Sequence, residues 1–487
     1  MRIRNHIKAT LLLLLLTLSL CESPLLSQER FRKSPPHPEP LAELKLPEIE
    51  PHFLTNGLAL AVIPRDNLPA ISLKLIIFTG ESSSSKYLPG IATLTANMLS
   101  RGALNLTSSE IEEIIESVGG SFSTFTYPDY SVFTFTFLED HLDEALDLLS
   151  KMILQPSFTR REIQNVKRSM FYDLLRKNKD PEFLARRQLF KLLFRNHAYE
   201  KSTYNEDVIR NLNQRALLSF FDRYYRPNNA LFVLTGNLNL ITAARKVSRY
   251  FSPWRRKELK NPYTAPPKPY DKEKICLVHL PKAKDTTIYL GNIVLPENGR
   301  DVFPFMVLNQ VLGGTHTSCL FMNLRESKGY AYYAFSELEF FKTCNVFFVK
   351  AKVRSEVTYP SIKEILKEIE KITKEKISSF EIEQAKSYLI GNFPLQISTY
   401  DKLSSKVTEI KALDLGEEHW SGYYENIMGI SAEKVFETAR KSPLLTPVIV
   451  IVGDKYIITD YLREFKEIEV YDNKGILQYT IKQGESE

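Results

Sequence analysis

Histidine and cysteine are both scarce in this chain, which carries eight of the first and four of the second among 487 residues. Apart from Cys21, the remaining Cys276, Cys319 and Cys344 are too widely spaced for a disulfide framework or a zinc set. They read as small buried apolar residues. His279 and His316 have no ligand spacing between them and read as structural or surface residues. Long hydrophobic runs are missing too: the apolar stretch at 11–16 is too short for a comfortable membrane span. Charge of one sign is not concentrated anywhere. The formal +6 includes Arg2, Arg4 and Lys8 at the N-terminus, and the absence of a clustered basic stripe argues against a nucleic-acid partner. Gly313-Gly314 is not followed by the Lys-Ser/Thr of a phosphate-binding loop.

What is present begins with an export signal over residues 1–21: a basic start, the apolar run, then Thr17-Leu18-Ser19-Leu20-Cys21. Cys21 with Leu18 three residues before it suggests a lipobox, although Leu20 is larger than the usual small residue. The other reading is a free secreted protein cut near Ser23. A lipidated Cys21 would anchor the chain to a bacterial envelope membrane, periplasmic or exported in either case. Residues 22–46 are rich in proline and charge and read as a flexible tether.

The body is too long for one core. Its pattern predicts a hairpin at FLTNGLALAVIP turning at Asn56-Gly57, a strand over 71–78, a polar loop ESSSSKYLPG, and a helix from the Pro-Gly at 89–90. Thr107 and Glu110 form a capping box for a helix through Val118. Two alternating strands follow around Pro128-Asp129, then helices over 142–154, 160–177 and 181–194, and a buried-type strand over 230–236. The second half repeats this order. Gly236-Asn237 resembles Gly453-Asp454, the run 162–167 resembles 381–386, and 97–99 resembles 310–312, each pair separated by roughly 215 residues. The fold class is therefore α+β: two homologous domains, each a mostly antiparallel sheet packed with helices. Their expected limits are 47–253 and 275–470, with a linker over 254–274 and a tail over 471–487.

The segment LPGIATLTANMLSRG places Thr93, Ala96 and Asn97 at i, i+3 and i+4, on one helical face. That is the spacing of an H-x-x-E-H zinc helix, but none of the three can do that work: Thr and Asn are poor zinc ligands and Ala96 carries no proton acceptor. On these residues alone they could equally be surface positions of an ordinary helix. The aromatic stripe Phe122, Phe125, Tyr130, Phe133, Phe135 and Phe137 reads as sheet core with a lined wall.

TNGLALAVIP, LPGIATLTANMLSRG, the helix pair ending KNKDP, RPNNALFVLTGNL and VLGGTHTSCLFMNLRESKGYAYYAF together give the chain a resemblance to the insulinase/pitrilysin-like zinc peptidases of the processing-peptidase type. The resemblance covers roughly residues 52–461. It implies that Thr93, Ala96 and Asn97 stand where active members hold zinc and base, and that Asp173 lies near the place of their third ligand. It also implies that the C-terminal motif, with its Gly-rich turn and R-E-x-x-G-x-A-Y, is kept as Gly313, Gly314, Arg325 and Tyr332. In paired enzymes of this family, an arginine and a tyrosine there help to hold substrate. Arg325 would suit a peptide carbonyl or carboxylate, and Tyr332 would donate to an oxyanion. Cys319 and Tyr330 depart from the family's usual residues.

The resemblance implies a non-catalytic, substrate-binding subunit of a heterodimeric zinc metallopeptidase. The chain itself would bind no cofactor. Zinc would sit in a catalytic paralogue partner, and the substrate would be an unfolded peptide adding to a sheet edge. Two further readings stand beside it: a lipid-anchored peptide-binding or scaffold protein with no proteolytic role, and a metallopeptidase with a displaced metal site. Taken singly, Asp173 reads as a solvated helix carboxylate, Arg325 as half of an exposed ion pair with Glu326, and Tyr332 as a strand core residue.

Overall fold

The computed structural model describes residues 49–83, 87–202, 204–259, 265–295, 302–416 and 419–482. The signal segment, Cys21 and the tether lie outside the described residues.

Alternation and β-branched runs build two sheets. The first contains β1 (His52–Phe53), β2 (Ala59–Pro64), β3 (Ala70–Ile77), β6 (Ser121–Thr126), β7 (Ser131–Leu138) and β8 (Ala230–Gly236), in the order β1-β2-β8-β3-β7-β6. A small pair, β4 (Gly102–Ala103) with β5 (Leu106–Thr107), stands apart. The second sheet contains β9 (Lys274–His279), β10 (Asp285–Val294), β11 (Ala331–Phe340), β12 (Asn345–Arg354), β13 (Val448–Gly453), β14 (Glu467–Tyr471) and β15 (Leu477–Lys482). Their order is β11-β12-β10-β13-β9-β14-β15.

The repeat seen in the letters is also a repeat of pairing. In the first sheet β2 is parallel to β8, β8 antiparallel to β3, β3 to β7 and β7 to β6. In the second, β9 is parallel to β13, β13 antiparallel to β10, β10 to β12 and β12 to β11. At one edge, each sheet thus ends on its next strand after the half's opening helix: β6 after Ile91–Met98, β11 after Phe303–Gly313.

Helices cover these sheets in an exchanged fashion. The helix Pro181–Leu193, from the first half, packs on β10 and β13 of the second sheet. The helix Tyr400–Leu413, from the second half, packs on the equivalent β3 and β8 of the first. This explains why AISLKLII in β3 is buried almost throughout: Ile71, Leu73, Leu75 and Ile77 join one core with Ile91, Leu94 and Met98 of its own half, and the strand also meets the exchanged helix. The polar residues that reach that helix are matched. Ser72 Oγ lies 3.0 Å from Ser404 Oγ, and the buried Lys74 ammonium donates to Asp401 at 2.7 Å and Thr134 at 3.0 Å. Across the other exchange, the Tyr333 hydroxyl donates to Glu182 at 2.7 Å.

One expectation is corrected here. Residues 471–487 were expected to be a tail, but Leu477–Lys482 is a strand paired antiparallel with β14, which itself lies parallel to β9. The turn between them uses Asp472 as acceptor for the N–H groups of Lys474 and Ile476, with Gly475 at φ +76°. Arg187 and Lys191 of the exchanged helix donate to the carbonyls of Asn473 and Gly475, fixing the turn.

Candidate functional site

The helix Ile91–Met98 starts at Gly90, whose φ of +85° favours glycine, and a Cβ there would stand 3.4 Å from the Tyr204 ring. Its stripe of Ile91, Leu94 and Met98, with Leu99 just beyond, is wholly buried. Thr93 and Asn97 are half-buried and Ala96 is buried, so these are not surface positions of a solvated helix.

All three positions are occupied by structural chemistry. The Thr93 hydroxyl donates to Glu81 Oε1 at 2.6 Å, and the Thr93 amide donates to the same oxygen at 2.9 Å. Glu81 Oε2 accepts from the Gly90 amide at 2.8 Å. The first-turn N–H groups of the helix are therefore satisfied by a buried carboxylate from the loop before it. Burial pushes the Glu81 carboxyl upward, against these hydrogen bonds, which favour its charged form. Asn97 Oδ1 accepts from the Thr124 hydroxyl of β6 at 2.9 Å. Tyr204, raised by burial and by the charges of Glu81 and Asp173, is hydrogen-bonded to Thr93 and lies beside the site of both carboxylates.

Asp173 sits on the Arg160–Lys177 helix, which packs against Ile91–Met98. Its carboxylate accepts from Arg176 and Lys177, each at 2.7 Å. Partial burial works the other way, but the two cations outweigh it and hold the carboxyl below its usual range. This donor set does not fit zinc: there is no imidazole or thiolate, the amide and hydroxyl oxygens already serve hydrogen bonds, Asp173 is neutralised by two cations, and Glu81 is taken up by the Thr93 hydroxyl and the first-turn N–H groups of the helix. Among the described residues no cluster of three His, Cys, Asp or Glu side chains is placed to hold a metal.

The second-half motif is brought together. Gly313 closes its helix against β11, and a Cβ there would stand 2.2 Å from the Ser336 amide nitrogen, so only glycine permits the approach. A π-helical turn, Met322–Ser327, follows and carries Arg325. The Arg325 Nη1 donates to the Tyr332 carbonyl, and the guanidinium lies 5.5 Å from the Phe321 ring centre. Glu326 is 3.6 Å from Nε with both side chains about half exposed, a weak pair.

Tyr332 is not a core residue. Ala331 pairs with Val353 and Tyr333 with Lys352, which leaves Tyr332 as the extra residue of a β-bulge. The bulge turns Tyr332 out, 49% exposed. Its hydroxyl donates to Asp285 Oδ1 at 3.3 Å, Lys352 Nζ is 3.3 Å from Asp285 Oδ2, and Lys352 also lies 5.5 Å from the Tyr332 ring centre. Glu81, Tyr204, Asp285 and Lys352 were not singled out by the sequence. Glu81 is the one acidic residue of a serine-rich loop, and Asp285 and Lys352 carry no local signal at all. Cys276 and Cys344 are buried and Cys319 is half-buried. His316 packs its ring against Phe321 and Phe335.

Residues 61–207 match the insulinase family (Peptidase family M16), and residues 211–389 match the Peptidase M16 inactive domain. The chain is 23% identical over 359 residues to an uncharacterized zinc protease, YmxG, of Bacillus subtilis, covering 73% of this chain and 86% of that one. Two Helicobacter pylori proteins are also similar. One is named non-peptidase homolog YmxG, with 25% identity over 72% of this chain and 81% of its own length. The other is named zinc protease PqqE, with 23% identity over 71% and 79%. The fold is similar to that of a peptidase M16 inactive domain from Pseudomonas fluorescens, at a TM-score of 0.76 and 21% identity over 84% of this chain and 98% of that one.

Proposed function

Since the chain belongs to the insulinase (M16) peptidase family and is an inactive member by its zinc-helix residues, we propose that it is the substrate-binding subunit of a two-chain zinc peptidase of the bacterial envelope. The observation that carries this reading is the contrast between the two halves. The zinc-helix positions Thr93, Ala96 and Asn97 are absorbed into hydrogen bonding and packing, whereas Arg325 and Tyr332 stand together, each about half exposed. That Helicobacter pylori holds both a relative named zinc protease and one named non-peptidase homolog is consistent with such pairing.

In this reading the zinc and the general base come from the partner paralogue, and this chain binds no cofactor. An unfolded peptide adds to the outer edge of β6, the last strand of its sheet, through backbone hydrogen bonds. Arg325 supplies fixed N–H donors to the bound backbone. Cys21 provides a lipid anchor that keeps the pair at a membrane surface.

The test is to co-express the chain with the H-x-x-E-H paralogue of the same genome and purify the pair. Cleavage of an unstructured peptide should need both chains and be abolished by a chelator. Arg325→Ala should lower cleavage while leaving the pair assembled. Cleavage untouched by that substitution, or no association of the two chains, would overturn the reading.

A further inference from the structure

Large apolar side chains exposed singly are ordinary, but at one end of the second sheet three of them stand together. Tyr456 and Ile457 lie on the short helix Lys455–Ile458 that follows β13, and they are 81% and 46% exposed. Tyr479 of the edge strand β15 is 44% exposed. It pairs with Val470, which lies in one core with Ile458, so the Tyr479 ring and the helix share a face of the sheet. The Lys455 ammonium sits over both rings, 5.1 Å from the centre of Tyr456 and 5.2 Å from that of Tyr479.

The unpaired charge beside these residues is positive. The turn after β9 lies against the same helix, where the Lys282 amide donates to Asp454 Oδ2 at 2.8 Å. Lys282 and Lys284 of that turn are exposed. The Asp454 side chain is only 13% exposed, and it also accepts from the Tyr456 amide at 3.1 Å, so its charge is turned inward. Among the described residues no carboxylate pairs with the ammonium of Lys282, Lys284 or Lys455.

We infer that this face docks on a membrane surface that carries anionic lipid. Tyr456, Ile457 and Tyr479 enter the headgroup layer, and the three lysines contact lipid phosphates. Tyrosine suits that depth because its ring is apolar and its tip is wet. A lysine stem crosses apolar ground while its ammonium reaches a phosphate. Protein–protein interfaces favour tyrosine but are depleted of lysine, so a tyrosine pair sharing one ammonium fits a lipid surface better than a protein partner. The face is separate from Arg325 and Tyr332 and does not depend on lipid at Cys21. Where Cys21 is lipidated, as proposed above, the anchor keeps the body near the bilayer and this face sets which way it turns.

The test uses the full chain with Cys21→Ser and Leu13→Arg, so that neither a lipid nor the apolar run at 11–16 holds it to a vesicle. Flotation compares vesicles of phosphatidylcholine alone with vesicles of equal parts phosphatidylcholine and phosphatidylglycerol. Binding should favour the anionic vesicles and weaken with salt. Lys282→Gln, Lys284→Gln and Lys455→Gln should each lower partition roughly fivefold. Tyr456→Ser with Tyr479→Ser should lower it by roughly tenfold or more, with the melting temperature unchanged. Arg161→Gln, Arg168→Gln and Arg215→Gln make the same charge change on exposed positions of the first half and should leave partition nearly unchanged. No partition onto anionic vesicles, or equal losses from the lysine and arginine substitutions, would overturn the inference. Either result leaves the peptide-binding reading standing, because Arg325 and Tyr332 are untouched in every variant.

Discussion

The hydroxyl of Thr93 donates to the carboxylate of Glu81 at 2.6 Å. Where the H-x-x-E-H spacing would call for an imidazole, this chain places a donor that ties its own helix to the preceding loop. The position has a structural job of its own.

The tie should show in pH dependence. Burial raises the Glu81 carboxyl above its ordinary value of 4.5. A raised carboxyl means that the folded chain holds its proton more tightly than the unfolded one. This group's contribution to stability is therefore fullest below about pH 4.5 and is lost as the pH rises through the folded value. Urea denaturation of wild type and Glu81→Gln at pH 4.5 and pH 7 should show the wild type losing ground to the variant at the higher pH. A constant difference between them would contradict the assignment.

Refitting the zinc helix should carry a cost. Thr93→His with Asn97→His removes the bonds to Glu81 and Thr124. The double variant should lose about 1–3 kcal/mol in stability without metal, and zinc should restore part of it. The wild type's melting temperature should respond to neither zinc nor EDTA. A wild type stabilised by zinc would show a metal site elsewhere.

Lys74 is 4% exposed and depends on Asp401 of the exchanged helix. Asp401→Ala should destabilise the fold by about 2 kcal/mol, because the ammonium keeps only Thr134 as a partner. Lys74→Met in the same background should recover most of the loss. Urea unfolding of the wild type, Asp401→Ala, Lys74→Met and the double variant measures the coupling directly.

Gly313→Ala pushes a methyl group against the Ser336 backbone. Overpacking of this kind costs about 1–3 kcal/mol, and here the displaced strand carries Tyr332. Thermal denaturation should show the loss, and peptide binding should fall further than stability alone explains. Gly329→Ala meets no neighbouring atom within 4 Å and separates steric crowding from backbone strain, since its φ is +63°.

Strands with clean alternation, helices with a capping box such as Thr107–Glu110, and the duplication were legible because their signals are local or repeated. The position of Asp173 on its helix was legible for the same reason, though its two cation partners were visible only as neighbours in sequence. Tyr332 was not legible as an exposed residue, because a bulge is set by the register between two strands and not by either one alone. Glu81 was hidden in a polar loop that composition assigns to solvent, yet the open amides of the next helix draw it inward. The β14–β15 hairpin was missed because its last strand is short and exposed along most of its length.

The reciprocal placement of Pro181–Leu193 and Tyr400–Leu413 also sets the order in which this chain can be completed as it is made. One face of the first sheet has no lid until residue 413 has been synthesised, so the N-terminal half waits, with apolar strand surface open, through most of translation. A chain with that timetable has to be kept unfolded, or held by a chaperone, until its second half arrives. A transcript truncated after the first half would give an aggregating fragment and not a small stable domain.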